Sequence, residues 1–98
     1  MSVGNVLDEI MYNQAILHGS IAHTDDLNDG AGVTISGTVA GAQLGDFVLC
    51  SAIADLAGLL LFPYVSAADT VSVRIQNETG GALTTNHTIY VVVIPRRR

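Results

Sequence analysis

The sequence predicts an all-β protein: a small antiparallel β-sandwich or barrel, jelly-roll-like, with an N-terminal arm. From Val33 onward, short runs rich in Val, Ile and Thr alternate apolar and polar residues, which is the period of a half-buried strand. Turn residues separate these runs about every ten residues, a spacing typical of sandwiches and small barrels. We therefore expect residues 31–98 to form the β domain and residues 1–30 to form an arm or extension.

Five strands follow from this pattern. They cover residues 33–39, 47–52, 59–65, 70–76 and 88–94. Pro63 places the third strand at an edge or a bulge, because proline has no backbone N–H for a ladder hydrogen bond. The Ala- and Leu-rich segment Ile53–Leu61 leaves a short helical turn before that strand as an alternative. Asn77 and Gly80 are expected to supply positive φ angles in the turn before the last strand.

The N-terminal arm has a different pattern from the rest of the chain. Asn5 is placed to cap a short helix whose first turn would hold acidic residues. The apolar stripe of that helix, and the expected contact surface of the arm, consists of Val6, Leu7, Ile10 and Met11. Residues 14–23 could instead form a strand. Either pattern suits an arm that becomes ordered only against a neighbouring subunit.

The last strand is apolar on both faces. Alternation places residues 89, 91 and 93 on one face and residues 90, 92 and 94 on the other. The run 59–64 has the same property, and a soluble monomer has to cover such faces. One interpretation is a central strand that a loop covers; the other is that the second face packs against another subunit. We favour the second, because a chain of 98 residues offers few loops for this purpose.

Composition excludes several classes of function. Hydrophobic residues make up 49% of the chain and charged residues only 13%, which excludes intrinsic disorder. The net charge is −5 and the chain has no lysine, so we expect no nucleic-acid partner. The longest apolar stretch, Ile53–Val65, is interrupted by Asp55 and Pro63 and is shorter than the roughly 20 residues of a membrane-spanning helix. We expect no membrane partner, and no secretory signal peptide because no basic residue precedes Asp8.

No residue pattern predicts a metal site. The acidic cluster consists of Asp25, Asp26, Asn28 and Asp29. Its spacing departs from that of an EF-hand loop, so a solvated turn is expected, although the sequence leaves open whether it holds an ion. The histidines His18, His23 and His87 are too far apart in sequence to form a helical ligand pair. A zinc site would need two of them to converge with a third donor.

No residue pattern predicts catalysis either. Cys50 is the only cysteine and lies within an apolar strand, where an inert buried thiol is expected. Gly30 and Gly32 lead into a strand, so they provide no anion site at a helix N-terminus. We therefore predict a non-enzymatic protein with no catalytic residues, no metal and no cofactor.

Three segments carry a family resemblance: VAGAQLGDFVL at residues 39–49, DLAGL at 55–59 and YVSAADTVSVRIQNETG at 64–80. Together they resemble a small β domain of tailed-bacteriophage virion proteins, found in capsid decoration (cement) proteins and head fibres. The resemblance covers residues 33–94 and lies in strands and turns, not in catalytic signatures. Pro63 departs from the pattern, and the first thirty residues lie outside it.

The resemblance implies a structural virion protein that binds the outer surface of the major capsid shell and stabilises it. Its partners would be the major capsid protein and further copies of itself, which we expect to form a homotrimer. It would be made in the host cytoplasm and located on the outer capsid surface of the virion. The alternative within the same family is a head-fibre or tail-tip module that binds a host receptor. The expected oligomer or capsid interface consists of Phe62, Tyr64, Tyr90, Val92 and Ile94.

Overall fold

The protein is a sandwich of two three-stranded antiparallel sheets, which confirms the predicted fold class. The computed structural model describes residues 16–96, except for the side chains of residues 25 and 85–87. The strands are β1 (Leu17–Leu27), β2 (Gly32–Thr38), β3 (Phe47–Ala52), β4 (Leu60–Ala67), β5 (Thr70–Gln76) and β6 (Leu83–Ile94). Sheet A has the order β1-β6-β3 and sheet B the order β2-β5-β4.

The core lies between the two central strands, because their inward side chains are β-branched and apolar. Inward residues of β6 (Ile89, Val91, Val93) and of β5 (Val71, Val73, Ile75) are each at most 1% exposed. Full burial of such a side chain contributes roughly 1.5–3 kcal/mol. At the two sides of the sandwich, β1 packs over β2 and β3 packs over β4.

The sandwich begins earlier in the chain than the sequence pattern predicts. β1 pairs with β6 along its whole length, from Leu17 opposite Val93 to Leu27 opposite Leu83. The chain from Leu17 onward is therefore an edge strand of sheet A, which agrees with the strand alternative for that part of residues 14–23. The predicted arm contacts Val6, Leu7, Ile10 and Met11 lie outside the described residues.

Two further predictions concern the edges and turns. Pro63 lies in β4, an edge strand with a bulge between Val65 and Ala67, as its missing N–H requires. The segment before β4 forms bends and a turn instead of the helical alternative, with positive φ at Ala57 (54°) and Gly58 (97°).

No helix long and apolar enough to span a membrane occurs in the described part of the chain.

Candidate interaction surface

Exposed apolar side chains flank the side of the sandwich where β3 lies over β4. We call this surface the β3–β4 side. It consists of Phe47 and Leu49 on the outer face of β3, and Leu60, Phe62 and Tyr64 on the outer face of β4. These five side chains are between 44% and 63% exposed. They face outward because the strand period of two sends alternate residues, such as Val48 and Leu61, into the core.

The outer face of sheet A continues this apolar surface from β3 onto β6. Phe47 lies directly opposite Ile94, and Leu49 lies directly opposite Val92. Side chains opposite each other on one face of an antiparallel pair have Cβ atoms about 5 Å apart and touch. The surface ends at Tyr90, which is 48% exposed and lies between Ser51 of β3 and a serine of β1.

The outer face of sheet B is apolar only on its edge strand. Phe62 lies opposite Arg74 of the central strand, whose guanidinium donates to Gln76 Oε1 at 3.3 Å. Tyr64 lies opposite Ser72, which is buried and donates to Ser66 Oγ at 2.7 Å. Polar groups of β5 therefore confine the apolar surface of this sheet to β4.

The opposite side of the sandwich carries small and polar residues. Outward positions there are Ser20, Ala22 and Thr24 on β1, and Thr34, Ser36 and Thr38 on β2. Among the strands, the exposed large apolar side chains are therefore concentrated on one side of the molecule. A monomer that merely tolerated scattered apolar residues would have no reason to concentrate them in this way.

A groove opens between the two sheets on the β3–β4 side. Its volume is about 520 Å³, and its apolar lining includes Cys50, Ala52, Leu56, Leu59 and Leu61. Burial raises the pKa of the Cys50 thiol above its usual value, so the thiol stays protonated. A protonated, half-buried thiol is a poor nucleophile, in keeping with the inert role expected for it.

The residues predicted as an interface divide between the two sheets. Phe62 and Tyr64 lie on the outer face of sheet B, whereas Tyr90, Val92 and Ile94 lie on the outer face of sheet A. Sequence reasoning missed Phe47 and Leu49, although the run 47–50 is apolar on both faces in the same way as the last strand. Val92 and Ile94 lie opposite Leu49 and Phe47 of the β3–β4 side, which also includes Phe62 and Tyr64.

The histidines and acidic residues are arranged differently from the sequence expectation. β1 continues to Leu27, so Asp25 and Asp26 belong to a strand and not to the predicted turn. Asp29 does lie in the turn, where its Oδ1 accepts a hydrogen bond from Gly80 N at 3.0 Å. His18 points outward from β1, whereas His23 is buried and pairs in register with His87. Among the side chains that the structure describes, no three His, Cys, Asp or Glu residues are grouped as a metal site.

Comparison with known proteins adds no relative. No protein family and no curated protein matches this sequence. The residues of the site themselves offer apolar area for burial against a partner.

Proposed function

We propose that this protein is a non-enzymatic structural subunit that binds neighbouring subunits through its β3–β4 side. The observation that carries the proposal is the concentration of half-exposed Phe, Leu and Tyr side chains on this side, against Ser and Thr on the other. Burial of apolar area is the main favourable term in association, so this side is where a partner gains most.

The exposed area matches what an interface needs. Large side chains of about 150–250 Å² each, roughly half exposed, leave on the order of 500 Å² of apolar surface on the β3–β4 side. A standard interface buries about 800 Å² per partner, of which about 60% is apolar. The whole β3–β4 side therefore carries about the apolar area of one standard interface, and a copy that divides it between two neighbours forms two smaller interfaces.

The geometry of the surface favours a ring of copies. Its two parts lie on the outer faces of different sheets, the β3 residues on sheet A and the β4 residues on sheet B, so they face outward on opposite sides of the sandwich. One copy can then contact one neighbour through β3 and β6 and the next through β4. Such head-to-tail contacts close into cyclic oligomers, of which the trimer is one.

In its finer form, the proposal is that the ring is a homotrimer that decorates the outer surface of a tailed-bacteriophage head. The resemblance of residues 39–49, 55–59 and 64–80 to decoration proteins supports this form, and those segments include most of the β3–β4 side. Each copy bound across neighbouring major capsid subunits would add its binding free energy to the stability of the shell.

The oligomer is tested by sedimentation velocity of the purified protein at micromolar concentration. We expect a trimer, and a stable monomer of 10.2 kDa would contradict the proposal. Leu49→Ser and Phe62→Ser, which replace outward residues, are expected to dissociate it while the far-ultraviolet circular dichroism stays that of the native fold. Thr34→Ala and Thr38→Ala, at outward positions of β2, are the matched controls and should leave the trimer intact.

The location on the virion is tested by mass spectrometry of purified particles. Hundreds of copies per particle are expected for a decoration protein. A few to a few dozen copies would replace this form of the proposal with the head-fibre or tail-tip alternative.

A further inference from the structure

The two sides of the sandwich differ in how closely the sheets approach each other. Where β1 packs over β2, glycines allow a close approach: a Cβ at Gly19 would lie 2.7 Å from Cγ2 of Val39, and one at Gly37 would lie 2.7 Å from Cγ1 of Ile21. Where β3 packs over β4, the groove of about 520 Å³ separates the sheets instead. The sandwich is therefore closed along one side and open along the other.

The backbone of β3 has a row of free groups along the open side. Ile53 N donates to Thr88 O at 3.1 Å, in continuation of the β3–β6 register. Hydrogen-bonded and non-bonded pairs alternate in an antiparallel ladder. The N–H and C=O groups of Val48, Cys50 and Ala52 therefore point away from β6, and no backbone group in the described part of the chain pairs with them.

This edge suits an additional strand better than the neighbouring edge does. β3 contains no charged residue and no proline, whereas Pro63 and the bulge between Val65 and Ala67 interrupt β4. A strand matched to the six residues of β3 would send three side chains inward. Since an apolar cavity of about 150 Å³ holds one benzene-sized group, a groove of about 520 Å³ holds roughly three such side chains.

The chain that precedes β1 can reach this edge. Leu17 lies opposite Val93 and Phe47 lies opposite Ile94, so β1 and β3 begin at the same end of sheet A. With strands about 4.8 Å apart, the position beyond β3 is about 14 Å from β1, which about five extended residues can span. The sixteen residues before Leu17 therefore suffice to cross the sheet end and to cover β3. A segment that arrives from this end runs antiparallel to β3.

The composition of the segment fits the position. Residues 1–7 carry no charged side chain and include the apolar residues Val3, Val6 and Leu7. The first acidic residues, Asp8 and Glu9, fall in the stretch that would cross to β1. A short helix, as the sequence predicts for this segment, is marginal in water because isolated helices need roughly 12–15 residues. The edge of β3 offers the same residues backbone partners and an apolar groove.

We propose that residues 1–7 of the same chain add to sheet A as a strand antiparallel to β3 and fill the groove with their inward side chains. Strand addition of this kind gains affinity from main-chain hydrogen bonds and specificity from pockets for alternate side chains. The added strand lies along the edge of the sandwich. It leaves the outer faces of both sheets, with Leu49 and Phe62, available to neighbouring subunits, so the inference does not depend on the proposed association.

The test is amide hydrogen exchange in the full chain, followed residue by residue by NMR. The added strand should slow exchange at the outward amides of Val48, Cys50 and Ala52 on the order of 100-fold relative to Ser20 and Ala22. These two are the internal controls, since the same alternation gives them outward amides on the edge strand β1. Exchange at the three β3 amides as fast as at the controls would overturn the proposal.

Isotope-filtered NOE spectra of mixed labelled and unlabelled chains identify the segment that covers β3. Contacts between residues 1–7 and β3 within one chain are expected. Contacts between chains, or protection of β3 without contacts from residues 1–7, would overturn the proposal and leave association through the β3–β4 side standing. A monomer that shows the contacts within one chain would contradict that association and support this proposal.

A substitution to proline at the edge provides a matched pair of variants. Ala52→Pro removes one outward N–H and leaves the hydrogen bonds to β6 in place. It should speed exchange at the Cys50 amide about tenfold, because it weakens the added strand. Ala22→Pro makes the same change on β1 and should leave Cys50 unaffected. Equal exchange at Cys50 in the two variants would contradict the proposal, and the wild-type measurements decide it should Ala52→Pro fail to fold.

Discussion

Asn77 connects two turns at one end of the sandwich, and its replacement by alanine is expected to destabilise the fold strongly. The side chain is fully buried. Its Nδ2 donates to the carbonyl oxygens of Leu27, at 2.8 Å, and Gly81, at 2.9 Å. Its Oδ1 accepts from the backbone N and the hydroxyl of Thr79, at 3.0 and 2.7 Å. One amide thus satisfies the end of β1 and the turn between β5 and β6.

The expected loss follows from the groups that Asn77→Ala leaves unpaired. A buried polar group without a partner costs about 1–3 kcal/mol. The Leu27 carbonyl bears this cost in full, and the part-buried groups of Gly81 and Thr79 bear a smaller share because water can reach them. We expect a total of about 3 kcal/mol, a large part of the roughly 5–15 kcal/mol that stabilises a domain. For a domain of this size, that lowers the melting temperature by roughly 12–24 °C.

Urea unfolding followed by circular dichroism measures this loss. Asn77→Asp keeps the acceptor but replaces both amide donors with an anionic oxygen facing two carbonyls, so it should cost at least as much as alanine. Asn28→Ala, at an exposed position in the neighbouring turn, is the control and should stay within about 0.5 kcal/mol of wild type. A cost below about 1 kcal/mol for Asn77→Ala would refute the reasoning, because it would mean that the freed carbonyls find other partners.

Four predictions concern other parts of the chain. Ala57→Gly should raise the unfolding free energy by about 1 kcal/mol in urea titrations, because Ala57 has a φ of 54° that glycine adopts without strain. Ser72→Ala should lower it by about 1 kcal/mol in the same assay, since the buried hydroxyl bonds both Ser36 Oγ and Ser66 Oγ. Burial raises the pKa of the Cys50 thiol, so this thiol should react with iodoacetamide more slowly than free cysteine. For the same reason, the unfolding free energy should fall as the pH rises past the ordinary thiol pKa, because the thiol then ionises in the unfolded chain before it does in the folded one. If the decoration proposal holds, deletion of residues 1–12 should leave the sandwich folded but weaken binding to purified capsids in a co-sedimentation assay; unchanged saturation of the capsids would show that the arm is not the anchor.

The strands from β2 to β5 could be predicted from sequence to within two residues, because most of their inward positions are Val, Ile or Leu. β1 could not, because its inward positions include Gly19 and His23. Gly19 is needed there for space: a Cβ would lie 2.7 Å from Cγ2 of Val39. The pairing with β6 defines β1, and pairing partners are not visible in the pattern of a single segment.

Turn chemistry shows a similar limit. Gly80 has the expected positive φ of 93°, but Asn77 is not among the residues with positive φ. Its contribution comes from the side chain, which reaches Leu27 fifty positions away in sequence. Local preference identified the residue as important, but only the folded chain shows which groups it satisfies.

The surplus of apolar residues was visible in the sequence, but its position on the surface depends on strand order. A last strand that is apolar on both faces would create an aggregation-prone edge if it lay at the rim of a sheet. Here β6 lies between β1 and β3, so its backbone is paired on both sides and only its outward side chains are available. Beside Tyr90 the neighbours are Ser20 and Ser51, whereas Val92 and Ile94 face Leu49 and Phe47. The apolar contact area is therefore greatest toward β3, which is why the candidate interface is the β3–β4 side and not the last strand alone.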